Sequence, residues 1–234
     1  MGDVDLAGWC QLPSPAGAEV VAASGVDLVC VDAQHGLIGD DALLAMLQAL
    51  RGTRVLVRVP RNAPDAIGHA LDRGADGVIV PLVDSADQAA AATAACAYPP
   101  DGHRSFGPTR HAWAGADTSA RGGCVIMIET LAGARDLPAI LEVPGVDAIF
   151  VGPSDLALSA GKPAVPPLED EDYAALLRSI TRQCREAGMP VGVYCGAPAW
   201  AARYRELGFT WLTLPADHAL LSTALAAALT EMRA

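Results

Sequence analysis

Residues 16–36 read Ala-Gly-Ala-Glu-Val-Val-Ala-Ala-Ser-Gly-Val-Asp-Leu-Val-Cys-Val-Asp-Ala-Gln-His-Gly. An alanine-rich segment of helical spacing, Ala16–Ala23, runs into Gly25, placed as glycines are at helix C-termini. A short β-branched run, Asp27–Val31, follows. Its far end carries Asp32, Gln34 and His35. The stretch reads as helix, turn, buried strand and polar strand end. Its helix-exit and strand-entry phrase, Ala22–Asp27, returns more loosely at Leu71–Asp76 and Val143–Asp147. That is the mark of one β/α unit repeated.

Outward from this unit, strands are expected at Gly8–Leu12, Asp27–Val31, Arg54–Val59, Gly77–Val83, Cys124–Glu129, Ala148–Val151, Val191–Cys195 and Thr210–Leu214. Helices are expected at Ala16–Ala23, Asp40–Arg51, Pro64–Arg73, Ser85–Ala97, Leu131–Leu141, Glu169–Ala187, Pro198–Leu207 and Asp217–Met232. Continuous apolar strands alternating with amphipathic helices imply parallel strands covered on both faces. Gly74, Gly188 and Gly208 follow helices as Gly25 does, and Asp40, Ser85 and Asp217 stand where N-caps stand. Eight units in 234 residues predict a single-domain (β/α)8 TIM barrel over residues 1–234. A doubly wound open sheet is the alternative, weakened because the chain has no GxGxxG or P-loop motif. Tyr98–Gly123 and Lys162–Pro167 break the rhythm as proline-rich loops, and long loops in compact domains are often functional.

Composition narrows the function. With 16 Lys+Arg against 27 Asp+Glu the formal charge is −11. A general nucleic-acid or anionic-membrane binder needs a cationic face, so neither partner is expected. The apolar share of 52% excludes a disordered chain. The start, Met1–Asp5, is acidic and lacks the basic and apolar regions of a secretory signal. The six cysteines form no CxxC pair and mostly sit in apolar runs, which predicts reduced, buried thiols in a cytoplasmic protein. Lys162 is the single lysine.

In a (β/α)8 barrel the reactive groups stand at the C-terminal ends of strands. There the sequence places Asp32, Gln34 and His35, then Arg58, Glu129, and Gly152-Pro153-Ser154-Asp155. Each also has a structural reading: Asp32 as a loop cap, Arg58 as a partner of a structural carboxylate, Glu129 and Asp155 as helix caps. Packing alone, however, does not ask Val125–Ile128 to end in a carboxylate, and an unpaired buried one is costly. Two carboxylates at one rim repel unless a cation lies between them. Oxygen ligands suit Mg²⁺ or Mn²⁺, while zinc lacks a His/Cys cluster of ligand spacing. His35 can serve as general acid or base, and Arg58 can meet a carboxylate or developing oxyanion. His69 and His218 read as surface residues of helices, and His103 and His111 as loop residues.

Together these motifs resemble the HpcH/HpaI aldolase family of metal-dependent, class II pyruvate aldolases. The resemblance runs from about Trp9 to the last helix. It rests on Asp32–Gly36, Val57–Pro60, Tyr98–Arg104, Ile128-Glu129-Thr130, Pro144–Asp147 and Gly152–Leu156. It implies Glu129 and Asp155 as ligands of Mg²⁺ or Mn²⁺, with Co²⁺ a further candidate. It implies Arg58 as the arginine on the pyruvate keto oxygen and His35 as the catalytic histidine. Gly152, Pro153, Ser154 and Asp155 would form the site for the pyruvate carboxylate. Asp72 matches an aspartate lent to a neighbouring subunit's site, although its own residues read as a solvated helix. A homohexamer with exchanged C-terminal helices and shared sites is implied as well. Gln34 stands where many relatives carry Glu, and Met127 where a glutamine often stands.

The implied reaction is reversible aldol cleavage of a 4-hydroxy-2-oxo acid to pyruvate and an aldehyde. A Schiff-base aldolase needs a desolvated lysine on a barrel strand, and Lys162, between Gly161 and Pro163 in a loop, does not offer one. The competing readings are a citrate-lyase-like enzyme on an acyl-CoA, which this acidic chain is poorly equipped to bind, a phosphosugar isomerase, whose phosphate-cradling loops are missing here, and a 2-oxo-acid-binding protein without turnover.

Overall fold

A computed structural model describes residues 4–114, 117, 120–165 and 167–234. Eight parallel strands close into a barrel in chain order: β1 (Asp5–Cys10), β2 (Leu28–Asp32), β3 (Val55–Arg58), β4 (Gly77–Val80), β5 (Gly123–Ile128), β6 (Ala148–Val151), β7 (Val191–Val193) and β8 (Trp211–Thr213). Leu6 pairs with Leu212 and closes the ring. The helices outside it are α1 (Pro15–Ala23), α2 (Asp40–Ala49), α3 (Pro64–Asp72), α4 (Ala86–Cys96), α5 (Thr109–Ala114), α6 (Leu131–Leu141), α7 (Pro153–Ser159), α8 (Glu171–Glu186), α9 (Ala201–Glu206) and α10 (Asp217–Arg233). The expected (β/α)8 barrel is the observed fold.

Strand alternation divides the core in two. Val29, Val31, Val55, Val57, Ile126 and Ile128 point outward and pack under the helices. Leu28, Cys30, Leu56, Ile79, Val125 and Phe150 point inward and fill the barrel. Trp9, Phe150 and Trp211 stack through the interior, with ring centroids 5.5 Å and 4.9 Å apart. Gly192 makes room for this stack, because a Cβ there would lie 2.0 Å from the Trp211 ring. All six cysteines are free and buried. Among the described residues no helix is long and apolar enough to cross a membrane.

The repeated phrase ending in Asp27, Asp76 and Asp147 proves to be a clasp. Each aspartate accepts the first free N–H of the preceding strand, from Leu6, Val55 and Cys124 respectively, at 2.7 Å. Its own N–H donates to the carbonyl of that same residue at 2.8–2.9 Å. Thr210 repeats the pattern on Val191 with its hydroxyl, at 2.9 Å. Strands are thereby tied in the pairs β1/β2, β3/β4, β5/β6 and β7/β8, all at the N-terminal rim. Gly25, Gly74, Gly188 and Gly208 take positive φ between 68° and 99° and end their helices as expected.

Several local expectations are corrected. Strands β4 and β7 stop at Val80 and Val193, short of the expected Val83 and Cys195. Pro81 has no N–H to continue the β4 ladder. Segment 98–123 is not wholly loop, since it contains α5. The short helix α7 opens at Pro153, straight after β6. Pro198–Leu207 begins with a 3₁₀ turn, Pro198–Trp200, before α9. Ser85 caps α4 through Gln88 N–H as predicted, but Asp40 and Asp217 lie inside the first turns of their helices. Asp217 instead accepts the backbone N–H groups of Gln11 and Leu12, fastening the start of α10 to the end of β1.

The clasp gives a direct test. Asp76→Ala leaves the Val55 N–H without its partner and should lower unfolding free energy by about 1–2 kcal/mol in urea denaturation. Asp76→Asn, which keeps an acceptor, should lose less.

Candidate active site

The alternation that fills the barrel also builds the site. Following β2 inward positions past Leu28 and Cys30 leads to Asp32, and Leu56 leads to Arg58. Val125 and Met127 lead to Glu129, and Ala7 and Trp9 lead to Gln11. Arg58 and Gln11 reach a cavity of about 190 Å³ at the C-terminal mouth, lined also by Trp9, His35, Met127, Gly152–Asp155 and Tyr194, with Asp32 behind Arg58 and Glu129 against Gly152. A larger cavity of about 410 Å³ opens at the opposite rim among the clasp residues. The chemistry-bearing groups gather at the smaller one.

Arg58 and Asp32 are both buried, and they face each other in a bidentate pair. Arg58 Nε donates to Asp32 Oδ1 at 2.8 Å and Nη2 donates to Oδ2 at 2.5 Å. Asp32 also accepts from Gln11 Nε2 at 2.7 Å and from the N–H groups of Gln34 and His35 at 3.1 and 3.2 Å. Burial pushes its carboxyl up. The hydrogen bond and charge of Arg58, with Gln11 and the His35 amide, prevail and hold it below the usual range. The structural reading of Arg58 as a carboxylate partner is therefore correct, and it leaves one donor over. Among the described residues Nη1 meets only the sulfur of Met127, at 4.0 Å, a weak acceptor. The guanidinium also lies 5.0 Å from the Trp9 ring centroid.

Glu129 follows β5 directly and is 2% exposed. Its Oε1 accepts the Leu82 N–H at 2.7 Å. Leu82 is the non-glycine residue with positive φ, 54°, among the described residues, a strained conformation that aims its N–H at the carboxylate. Burial pushes Glu129 up to about 7. The Leu82 amide and Arg58 pull it down, while Asp155 and Asp84 add to the rise. Gly152 lies against this side chain, and a Cβ there would fall 2.8 Å from Glu129 Oε2. Asp155 sits in the first turn of α7.

The structure brings together His35, Arg58, Glu129, Gly152, Pro153, Ser154 and Asp155. It does not bring Asp72 there. Asp72 ends α3, whose start is the end nearer the site, and its carboxylate pairs with Arg104 at 2.6 Å. Gln34 contributes its backbone N–H to Asp32, while its side-chain oxygen is buried without a hydrogen-bond partner. His69 and His103 do not line the cavity, and the side chain of His111 lies outside the described residues. Sequence reasoning missed Gln11 and Tyr194. Period-two counting from Ala7 and Trp9 would have reached Gln11. Tyr194 stood inside the expected seventh strand and carried no separate signal.

A (β/α)8 barrel with a buried arginine, a histidine and three carboxylates at its C-terminal mouth is laid out as an enzyme. Residues 7–224 match the family model of HpcH/HpaI aldolase/citrate lyase. The 2-dehydro-3,6-dideoxy-6-sulfogluconate aldolase of Pseudomonas putida is 35% identical over 92% of this chain and 88% of its own length. A hydroxypyruvate/pyruvate aldolase of Rhizorhabdus wittichii is 34% identical over 98% of this chain and 94% of its own. The crystal structure of an HpcH/HpaI aldolase/citrate lyase family protein from Burkholderia cenocepacia superposes with a TM-score of 0.90 at 29% identity, covering 99% of this chain and 95% of that one. The chain belongs to the HpcH/HpaI aldolase/citrate lyase family and is a lyase of the aldolase type.

Asp32→Leu should lower unfolding free energy by about 3–5 kcal/mol, because Arg58 stays buried without its counter-ion. The pH dependence follows from the depressed Asp32 carboxyl: its stabilisation is complete above the ordinary carboxylate value and is lost as pH falls through its folded-state value. Unfolding free energy should therefore drop more steeply below about pH 4 in the wild type than in Asp32→Asn.

Proposed function

We propose that the protein catalyses reversible aldol cleavage of a 4-hydroxy-2-oxo acid to pyruvate and an aldehyde, with a divalent metal. One observation carries the reading. Arg58 is locked by Asp32 through two of its nitrogens and presents the third, Nη1, to the cavity with no strong acceptor. A preorganised donor of this kind stabilises an oxyanion that appears during reaction. The relatives' names, sulfogluconate aldolase and hydroxypyruvate/pyruvate aldolase, support the same substrate class.

Each residue has a defined task. Arg58 Nη1 donates to the 2-keto oxygen as charge moves onto it during C3–C4 cleavage. His35, whose turn is pinned by its own N–H on Asp32, takes the proton of the C4 hydroxyl and returns it in synthesis. At the start of α7 the N–H groups of Ser154 and Asp155 belong to the first turn, where no intrahelical acceptor exists, and they face the substrate carboxylate. The residues fit a hard cation. Glu129 is raised to about 7 beside Asp155, neither makes an ion pair among the described residues, and both are oxygen donors. Glu129 and Asp155 would hold Mg²⁺, Mn²⁺ or Co²⁺, which supplies Lewis-acid polarisation of the 2-oxo group. Lys162 does not line the cavity and pairs with Asp170 at 2.5 Å, which disfavours an imine route.

The assembly we propose is a homohexamer with exchanged C-terminal helices, in which a neighbour lends Asp72. It is supported by α10, which buries none of its residues and exposes Leu220, Leu221, Leu225, Leu229 and Met232. An apolar face of this extent is normally covered.

Pyruvate release from 4-hydroxy-2-oxo acids should be lost in chelator and restored by Mg²⁺ or Mn²⁺. Glu129→Ala should abolish both release and Mn²⁺ binding measured by calorimetry. Chelator-insensitive turnover, or borohydride trapping of pyruvate on Lys162, would overturn the reading. Leu221→Asp with Leu225→Asp should lower the solution mass measured by light scattering.

A further inference from the structure

Gln11 directly follows β1 in its inward register, across the ring from β5 and the Glu129 that follows it. It is held from two sides. Its Nε2 donates to Asp32 Oδ2 at 2.7 Å, and its Oε1 stands 2.9 Å from His218 Nε2. Asp32 is ionised and only accepts, so the amide nitrogen must face it. The amide oxygen then faces His218, and the His218 nitrogen that faces it must carry a proton. His218 is itself placed by Asp217, whose Oδ1 accepts the N–H groups of both Gln11 and His218, at 2.9 and 2.8 Å.

A primary amide has two N–H donors and two acceptor lone pairs. Asp32 takes one donor and His218 takes one lone pair, so one of each remains. The neighbouring wall of the cavity is aromatic and thioether, from Trp9, Tyr194 and Met127. A group that donates and accepts at once satisfies the remaining pair, and a hydroxyl is that group. In the proposed reading the 2-oxo end belongs with Arg58, Glu129 and the start of α7, after β3, β5 and β6; Gln11 shares Asp32 with Arg58 but follows β1, on the other side of the ring, where the part that leaves as aldehyde falls.

We propose that Gln11 is a specificity-determining residue which binds a hydroxyl on the carbon next to the cleaved bond's aldehyde carbon, selecting α-hydroxyaldehyde acceptors, and that His218 is its positioning residue. The proposal rests on the aldolase reading above. A site built to hydrogen-bond a hydroxyl discriminates against the analogue lacking it.

The test compares kcat/KM for pyruvate release from 4,5-dihydroxy-2-oxopentanoate and 4-hydroxy-2-oxopentanoate, with Mg²⁺ present. The wild type should favour the dihydroxy acid by about tenfold or more. Gln11→Met, similar in length without the amide, should bring the ratio to within about twofold of one. His218→Leu should reduce the ratio, and His218→Gln, which keeps an N–H donor, should restore most of it. Ratios cancel any loss common to both substrates, and the wild-type ratio carries the test should a variant not fold. A wild-type ratio near one, or an unchanged ratio in Gln11→Met, overturns the proposal and leaves the aldolase reading standing. An unchanged ratio in His218→Leu overturns the positioning role. Release from neither substrate overturns both readings.

Discussion

The buried pair of Arg58 and Asp32 is the constraint on which the rest of the mouth depends. Two charges removed from water repay their desolvation only when geometry is good and every remaining hydrogen-bonding position is met. Asp32 meets that condition by drawing in Gln11, Gln34 and His35. One carboxylate thus fixes the arginine, the turn that carries the histidine and the side chain at the end of the first strand. The guanidinium is held by one carboxylate through two of its nitrogens, and a donor held in this way is the preorganisation that the proposed oxyanion role asks for.

Glu129 is held by the opposite logic. Among the described residues it has no ion pair, although the charge of Arg58 pulls its carboxyl down, and it accepts an N–H from a strained Leu82. Burial raises its pKa, and the neighbouring Asp155 adds to the rise. The two halves of the mouth therefore differ in kind: one carboxylate is met by an ion pair within the chain, and the other has no ion pair among the described residues.

Much of this was legible in the chain. Eight apolar runs separated by helices define a closed barrel, and polar residues directly beyond such runs have few structural uses, so Arg58, Glu129 and Asp155 announced themselves. The clasp aspartates were visible as a repeat, but their partner lies in the preceding strand, about twenty residues back, and spacing alone does not show a side chain bonding across to it. Asp217 looked like a helix cap because it stands at a helix start; the end of β1 competed for its carboxylate and won. Gln11 was hidden because an amide beyond a strand has many bland uses, and its meaning depends on Asp32 and on His218, some 207 residues away. Asp72 was read from resemblance, and within one chain it remains remote from the mouth.

The clasps have a consequence for how such a molecule can change over time. Consecutive strands are tied in pairs at one rim by backbone hydrogen bonds and short polar side chains that take no part at the mouth. Loops at the other rim can be lengthened, shortened or rewritten while the strands stay in register. The scaffold and the chemistry are thereby mutable on separate schedules, and new substrates can be explored without placing the barrel itself at risk.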